Sequence, residues 1–170
     1  MGFRLLNKDD IEVKVKKVSD KGVVLLLYKT ARTDMDLLDE NFGAENWECD
    51  YREVKGNLYC GIGVRCGDHV VWKWDCGIES REDGEGNQKK GEASDAFKRA
   101  GFKWGIGREL YTAPFIFVPA SKVNIVDGRK TFDSFSVEKI AYEGRSISGI
   151  AIINDNTGKR CFVWTKGEAQ

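Results

Sequence analysis

The sequence lacks several features that would assign a chain to a class of protein at once. Its 170 residues include one histidine and two prolines, and 27 basic side chains balance 27 acidic ones, so the formal net charge is zero. That balance removes the simplest argument for nucleic-acid binding, which favours a basic domain. The apolar stretch Val23–Tyr28 is far too short to cross a bilayer, and the first residues lack the layout of a secretion signal. We therefore expect a cytoplasmic protein whose five cysteines, an odd number, are reduced thiols.

A complete motif for nucleotide chemistry is also missing. The closely spaced glycine pairs lack the further glycines and the Lys-Ser/Thr ending of a phosphate loop. These pairs are Gly61 and Gly63, Gly84 and Gly86, and Gly105 and Gly107. We therefore expect no nucleotide hydrolysis and no cofactor.

Two groups of side chains have the chemistry to bind a metal. The first combines thiols with the histidine: Cys60, Cys66, His69 and Cys76. It lacks the Cys-x2-Cys spacing that places two zinc ligands on one turn, so we expect structural thiols and a surface histidine there. The second group is acidic and has helical spacing: Asp34, Asp36, Asp39 and Glu40. These carboxylates either form the exposed side of a helix or hold the metal of a small nuclease, which is the alternative function.

The pattern of apolar residues predicts an α+β fold. The predicted order is β-β-α-β-β-β-α, an antiparallel β-meander packed against helices, and we assign residues 1–119 to this core. Its segments are Ile11–Lys17, Val23–Lys29, about Thr30–Phe42, Trp47–Val54, Leu58–Arg65, His69–Cys76 and a basic helix that follows a polar, mobile loop at Glu79–Gly91. Further strands are predicted at 134–142, 146–154 and 160–164, and we assign residues 120–170 to a small C-terminal β appendage.

The segment Lys89–Tyr111 predicts an amphipathic helix with a basic side. Its apolar residues recur at helical spacing: Ala93, Ala96, Phe97, Ala100 and Trp104. Its basic residues lie on or beside the other side, or just upstream: Lys89, Lys90, Lys98, Arg99 and Lys103. Gly105 and Gly107 then end the helix. Such a helix is either a core element with a solvated charged side or a binding surface.

In the predicted strand His69–Cys76, aromatic residues alternate with a cation. Trp72 and Trp74 share one strand face, and Lys73 lies on the other. We expect the tryptophans to pack onto a helix, which leaves Lys73 facing outward, where it can contact a phosphate. Cations interleaved with aromatic rings suit a single strand of nucleic acid, because cations follow the backbone and ring faces stack the bases.

Three stretches of the chain resemble a known family. ASDAFKRA, at Ala93–Ala100, resembles the signature helix of the Rad-fifty-two single-strand annealing superfamily, in which a Thr/Ser-Asp pair precedes a Lys-Arg-Ala run and an aromatic-Gly follows. ARTDMDLLDENFGAENW, at Ala31–Trp47, is similar to the earlier helix of that family. GIGRELYTAPFI, at Gly105–Ile116, is similar to its phage and prophage branch, often called Sak-like. The resemblance covers about Ile11–Val118.

The resemblance implies a DNA-binding protein of homologous recombination and repair that anneals complementary strands without ATP and is not an enzyme. It implies a homo-oligomer, either a ring or a helical filament, whose outer groove holds single-stranded DNA with the bases exposed for pairing. The implied partners are single-stranded DNA, the annealed duplex intermediate, and a phage exonuclease or single-strand binding protein, without a membrane. A phage-encoded copy would act in the cytoplasm of the bacterial host.

Residues of the family's basic groove match Arg32, Lys98 and Arg99 of this sequence. Further cations are placed to assist them: Lys73, Lys89, Lys90 and Lys103. The second arginine of the family falls on Phe102, and the neighbouring Lys103 is its candidate substitute.

Charges of opposite sign are segregated along the chain. Acidic residues dominate between Arg32 and Glu53: Asp34, Asp36, Asp39, Glu40, Glu45, Glu48, Asp50 and Glu53. A ring needs a head-to-tail interface, in which the basic patch of one subunit meets a different surface of its neighbour. We therefore expect Glu109 and the acidic helix to contribute to subunit contacts.

Overall fold

The computed structural model describes residues 2–78 and 85–168, with the backbone alone for residues 85–88. The chain is mixed α+β, with antiparallel sheets and two α-helices. The helices are α1 (Ala31–Phe42) and α2 (Glu85–Trp104). The strands are β1 (Glu12–Ser19), β2 (Gly22–Tyr28), β3 (Trp47–Val54), β4 (Asn57–Cys66), β5 (His69–Cys76), β6 (Ile116–Pro119), β7 (Phe135–Glu143), β8 (Ser146–Asn154) and β9 (Lys159–Thr165).

The chain divides into two compact units. The first unit consists of Met1–Arg4 and Lys29–Gly107, and it contains α1, α2 and a three-stranded sheet in the order β3-β4-β5. The second unit consists of Leu5–Tyr28 and Arg108–Gln170, and it contains a six-stranded sheet in the order β6-β2-β1-β7-β8-β9. This division differs from the one expected at residue 119.

The C-terminal strands belong to the same sheet as the N-terminal hairpin. β7 pairs with β1 through Glu12 opposite Ser136 and Val13 opposite Phe135, so residues 120–170 continue this sheet instead of forming a separate appendage. β2 pairs along one edge of β1. β7 pairs along the opposite edge of β1 and satisfies backbone hydrogen-bonding groups there. Apolar periodicity predicts each strand but does not identify its partner, which is why the division differs.

Helix α1 has the limits that its sequence predicts. It begins after Thr30, whose hydroxyl oxygen accepts a hydrogen bond from the backbone N–H of Thr33 at 3.1 Å. It ends at Gly43, whose positive φ of 83° favours glycine, and whose N–H donates to the carbonyl oxygen of Asp39. The predicted helix is therefore confirmed at both ends.

Helix α2 begins earlier than the sequence predicts. Residues 85–91, expected in the mobile loop, form its first turns, and residues 79–84 of that loop lie outside the described residues. The Glu92 carboxylate accepts a hydrogen bond from the backbone N–H of Leu58 at 3.1 Å, and such tertiary contacts outweigh the low helix propensity of glycine. In the part of the chain that the structure describes, no helix is both long and apolar enough to cross a bilayer.

Helix α2 packs on one face of the β3–β4–β5 sheet. The residues buried there completely are Cys60, Ile62 and Val64 of β4 and Ala96, Phe97 and Ala100 of α2. This confirms the centre of the predicted apolar stripe. Gly77 brings the end of β5 close to the helix, since a Cβ atom there would lie 2.2 Å from the carbonyl oxygen of Glu92. The sheet therefore has one covered face, against α2.

Candidate nucleic-acid interface

A buried ion pair joins the two helices of the first unit. The Lys29 ammonium donates to both carboxylate oxygens of Asp34, at 2.6 and 2.5 Å, and both side chains are buried. It also donates to the carbonyl oxygen of Lys98 on α2, at 3.3 Å. Gly101 allows the close approach, because a Cβ atom there would lie 2.7 Å from Asp34 Oδ2. The ion pair therefore fixes α2 against the start of α1.

The burial of Asp34 corrects the expectation that it lies on an exposed acidic side of α1. Burial raises the pKa of Asp34 to about 6, although the charge of Lys29 opposes that rise. A signal was present in the sequence, since Asp34 lies three residues after Ala31 and four before Leu38, at the spacing of the buried side. Asp34 is thus a structural group of the helix crossing.

The carboxylates of the alternative nuclease site do not converge. Asp34 is engaged by Lys29, and Asp39 accepts a hydrogen bond from the Trp47 indole N–H at 2.6 Å. Among the side chains of residues 2–78 and 89–168, no group of three or more His, Cys, Asp or Glu is arranged to hold a metal ion. The geometry therefore gives the nuclease hypothesis no specific support.

Arg32 and Lys98 both lie near the crossing of the two helices. Arg32 is exposed in the first turn of α1, and Lys98 is half-buried on α2. The positive charge of Lys98 acts to lower the pKa of Asp34, which places it close to the first turn of α1. Neither side chain forms a hydrogen bond or ion pair with any residue that the structure describes. Both cations are therefore available to an external anion.

The remaining cations of the C-terminal half of α2 converge on one carboxylate. Arg99 Nη2 and Lys103 Nζ lie 3.5 and 3.7 Å from the two carboxylate oxygens of Asp75. Lys73 Nζ donates to the carbonyl oxygen of Lys103 at 3.2 Å and lies 4.2 Å from the centre of the Trp104 ring. We call Lys73, Asp75, Arg99 and Lys103 the Asp75 cluster. The cations outnumber the acid in this cluster, so an excess of positive charge remains.

The orientation of β5 is opposite to the one expected. Lys73 lies on the face covered by α2, whereas Trp72 and Trp74 lie on the other face. Two glycines of β4 account for this: a Cβ atom at Gly61 would lie 2.5 Å from the Trp74 ring, and one at Gly63 would lie 2.7 Å from the Trp72 ring. The indoles of Trp72 and Trp74 therefore rest against bare backbone on the face opposite α2.

Asp75 is a site residue that the sequence reasoning missed. It lies two residues after Lys73, and period-two alternation therefore places the two side chains on one strand face. The sequence did not show that this face meets α2. Lys103, the candidate substitute for the family cation at Phe102, is directed towards β5 and joins this cluster.

Lys89 and Lys90 are separated from the Asp75 cluster along the same helix. Both are exposed in the first turns of α2. At a rise of about 1.5 Å per residue, Lys90 lies roughly 14 Å from Arg99 along the helix axis. The structure therefore brings together Lys73, Arg99 and Lys103, and leaves Lys89 and Lys90 as a separate basic end.

The expectation that Glu109 lies in a subunit contact is wrong, because Glu109 is buried within the second unit. Its Oε1 accepts a hydrogen bond from the backbone N–H of Leu6 at 2.8 Å. Its Oε2 lies 3.8 Å from Arg145 Nη2. These contacts make Glu109 a structural group of that unit and remove it from the surface available to another subunit.

Comparisons of the chain with protein-family models, curated proteins and solved structures found no match.

Proposed function

We propose that this chain binds single-stranded DNA and anneals complementary strands without ATP, as a recombination and repair protein of the Rad-fifty-two type, in its Sak-like phage branch. The observation that supports this best is the Asp75 cluster, in which Lys73, Arg99 and Lys103 converge on one side of α2. Arg32 and Lys98 add exposed or half-exposed cations at the helix crossing. The order β1-β2-α1-β3-β4-β5-α2 is proposed to be the annealing core.

In the proposed mechanism, the cations of α1 and α2 neutralise phosphates while the bases remain exposed. The ion pairs of Arg99 and Lys103 with Asp75 are long, and both cations are about half exposed, so these pairs contribute little stability. A phosphate can therefore replace Asp75 as their partner at small cost. A second strand then samples register against the held bases, and Watson–Crick pairing supplies all the sequence information.

Affinity in this mechanism comes from phosphate contacts, so it decreases as salt increases and depends little on sequence. The decisive experiment is a strand-annealing assay with labelled complementary oligonucleotides, with and without ATP, at two salt concentrations. Duplex formation that needs no ATP supports the proposal. Shortened product after addition of magnesium or manganese identifies a nuclease instead, and the absence of both products contradicts annealing.

We further propose that the chain acts as a ring or helical filament in the cytoplasm, that of the bacterial host if it is phage-encoded. The segregated charge supports head-to-tail contacts, with exposed acidic residues of α1 such as Asp36 contacting a basic surface of a neighbouring copy. Light scattering over a range of protein concentrations, with and without DNA, tests this. A strict monomer under every condition contradicts the assembly.

A further inference from the structure

The face of the β3–β4–β5 sheet opposite α2 presents two parallel indole rings. The rings of Trp72 and Trp74 are stacked with centroids 5.6 Å apart and an interplanar angle of 25°. Each lies against a glycine of β4, and each is half-buried. We call this pair the tryptophan platform.

One ring of the tryptophan platform already carries a planar cation. The guanidinium carbon of Arg52 lies 4.5 Å from the centre of the Trp74 ring, and Arg52 Nε donates to Asp50 at 2.9 Å. The outer ring face of Trp74 can thus hold a flat group in van der Waals contact. Within the part of the chain that the structure describes, Trp72 has a ring contact with Trp74 alone.

A polar cavity of about 120 Å³ lies beside Gly63, the glycine that pairs with Trp72. Glu48, Gly63, Arg65 and Val70 contribute to its lining. The strand register sets Glu48 opposite Gly63 and Gly63 opposite Trp72, so the cavity and the platform share one sheet face. The side chains of Glu48 and Arg65 are exposed and make no hydrogen bond or ion pair with any described residue. A carboxylate and a guanidinium without partners among the described residues therefore lie on the same sheet face as the Trp72 ring.

We propose that this face is a second contact for single-stranded nucleic acid, at which an unpaired base stacks on the tryptophan platform and Arg65 binds the adjoining phosphate. This rests on the single-strand binding proposed above and adds a site on the opposite side of the sheet from the Asp75 cluster. Base–aromatic stacking tolerates every sequence, because every base has a π-face. A single strand held for annealing has such bases free.

The charges of this face favour binding of an unpaired base and not of the phosphate backbone alone. Glu48 and Asp50 balance Arg52 and Arg65, and Glu45 adds a further acid at the cavity, so the face has no net positive charge with which to attract a polyanion. Its affinity must therefore come from the ring surfaces, with Arg65 fixing a single phosphate. A site of this composition distinguishes a strand with bases from a strand without them.

The test compares a labelled oligo-dT with an abasic oligonucleotide of the same length and charge, using fluorescence anisotropy at fixed salt. Wild-type protein is expected to bind the oligo-dT about tenfold or more tightly than the abasic strand. Trp72→Leu/Trp74→Leu is expected to abolish that preference and to leave the salt dependence unchanged, because no charge is removed. Trp164→Leu, at a half-exposed tryptophan of β9, is the matched control and is expected to retain the preference.

Equal binding of the two strands by wild-type protein, or a preference that survives in a folded double variant, overturns the tryptophan platform while single-strand binding stands. Failure of wild-type protein to bind either strand overturns both proposals. If the double variant converts oligomers to monomers and keeps the preference, the face is a self-association surface and the proposal is wrong. If the double variant does not fold, Arg65→Ala decides: the slope of log affinity against log salt is expected to fall by about 0.7, and an unchanged slope overturns the site.

Discussion

The two faces of the β3–β4–β5 sheet contain the same kinds of side chain and arrange them differently. On the face covered by α2, Lys73 lies on the Trp104 ring and Asp75 is shared by Arg99 and Lys103, so the cations already have intramolecular partners. On the open face, indoles rest on glycine backbone, and Arg65 has no partner among the described residues. On the covered face, a phosphate would therefore have to replace Asp75 as the partner of the cations. On the open face, a ligand would contact the indole rings.

The two faces also show what determines which side chains of a strand face the helix. Alternation along β5 puts Trp72 and Trp74 on one face and Lys73 and Asp75 on the other, in either orientation. The choice depends on the neighbouring strand, where Gly61 leaves room for an indole on one face and Ile62 fills the helix side on the other. The packing of a tryptophan is thus determined by glycines that lie outside its own strand.

The largest expected effect tests whether the stability of the unit that contains the covered face depends on the protonation of the buried Asp34 carboxyl. The folded-state pKa of Asp34 is about 6, above its ordinary value of 3.8, so the native state binds this proton more tightly than the unfolded chain. The resulting stabilisation is complete below about pH 4 and is lost as pH rises through 6. We expect the free energy of unfolding of wild type minus that of Asp34→Asn to fall by about 3 kcal/mol between pH 3 and pH 7.

Urea unfolding of both proteins at the two pH values measures this difference. Asp36→Asn is the matched control, because Asp36 is exposed on the same helix, and we expect no such change for it. A difference that stays constant or increases with pH contradicts the assignment of Asp34.

The next effect compares the close contacts on the two faces. A Cβ atom at Gly77 meets the backbone of Glu92 on the α2 side, which cannot yield, whereas one at Gly61 meets the Trp74 ring, which can rotate away. We expect Gly77→Ala to destabilise by about 3 kcal/mol and Gly61→Ala by about 1 kcal/mol, measured by urea unfolding. Gly91→Ala, in α2 with no atom within 4 Å of the new carbon, is expected to stabilise slightly. Equal losses at Gly61 and Gly77 would remove the distinction between the faces.

A third prediction concerns cations of α2. Lys98→Ala/Arg99→Ala is expected to weaken single-strand binding about tenfold or more and to lower the salt slope by about 1.4, because two phosphate contacts are lost. Lys16→Ala/Lys17→Ala removes the same charge from exposed positions of β1 and is expected to have little effect. Anisotropy titrations at several salt concentrations provide the measurement, with circular dichroism to confirm the fold. Equal losses in the two double variants would show that general charge, rather than this site, binds the strand.

The smallest expected effect sharpens the role of Asp75. Asp75→Asn retains the shape of the side chain but removes the charge that competes with phosphate for Arg99 and Lys103. We expect single-strand affinity to rise about two- to fivefold, since each exposed ion pair contributes only a small free energy. The same titrations measure the rise. A loss of affinity would mean that Asp75 is needed to position the cations.

Local features of the sequence predicted a substantial part of this structure. Thr30 and Gly43 determine the limits of α1 through their own backbone chemistry, and the stripe containing Ala96, Phe97 and Ala100 identifies the buried side of α2. Features that depend on distant partners were not predicted. The N-terminal half of α2 contacts β4, for example through the hydrogen bond from the backbone N–H of Leu58 to the Glu92 carboxylate, and the helical pattern alone does not show this contact.

The candidate site shows the same limit. Lys73, Arg99 and Lys103 were identified as cations, but the sequence did not show that Asp75 lies among them, because that proximity requires β5 to face α2. The charge of Asp34 predicts an exposed side chain, whereas its position on the apolar stripe of α1 predicts the buried one that the structure has. A charged group at a buried position indicates a partner, and Lys29, five residues earlier, is that partner.

The pairing of β2 with β6 has a consequence for the order in which the chain folds. Strands β3, β4 and β5 are joined by short hairpins and followed by α2, so the contacts of the first unit are close in sequence. The β2–β6 pair instead sets Val23 opposite Val118, and closing so long a loop costs conformational entropy before any contact compensates for it. We expect the first unit to condense early. During synthesis, the backbone hydrogen-bonding groups along the β6 edge of β2 then have no strand partner until β6 has left the ribosome.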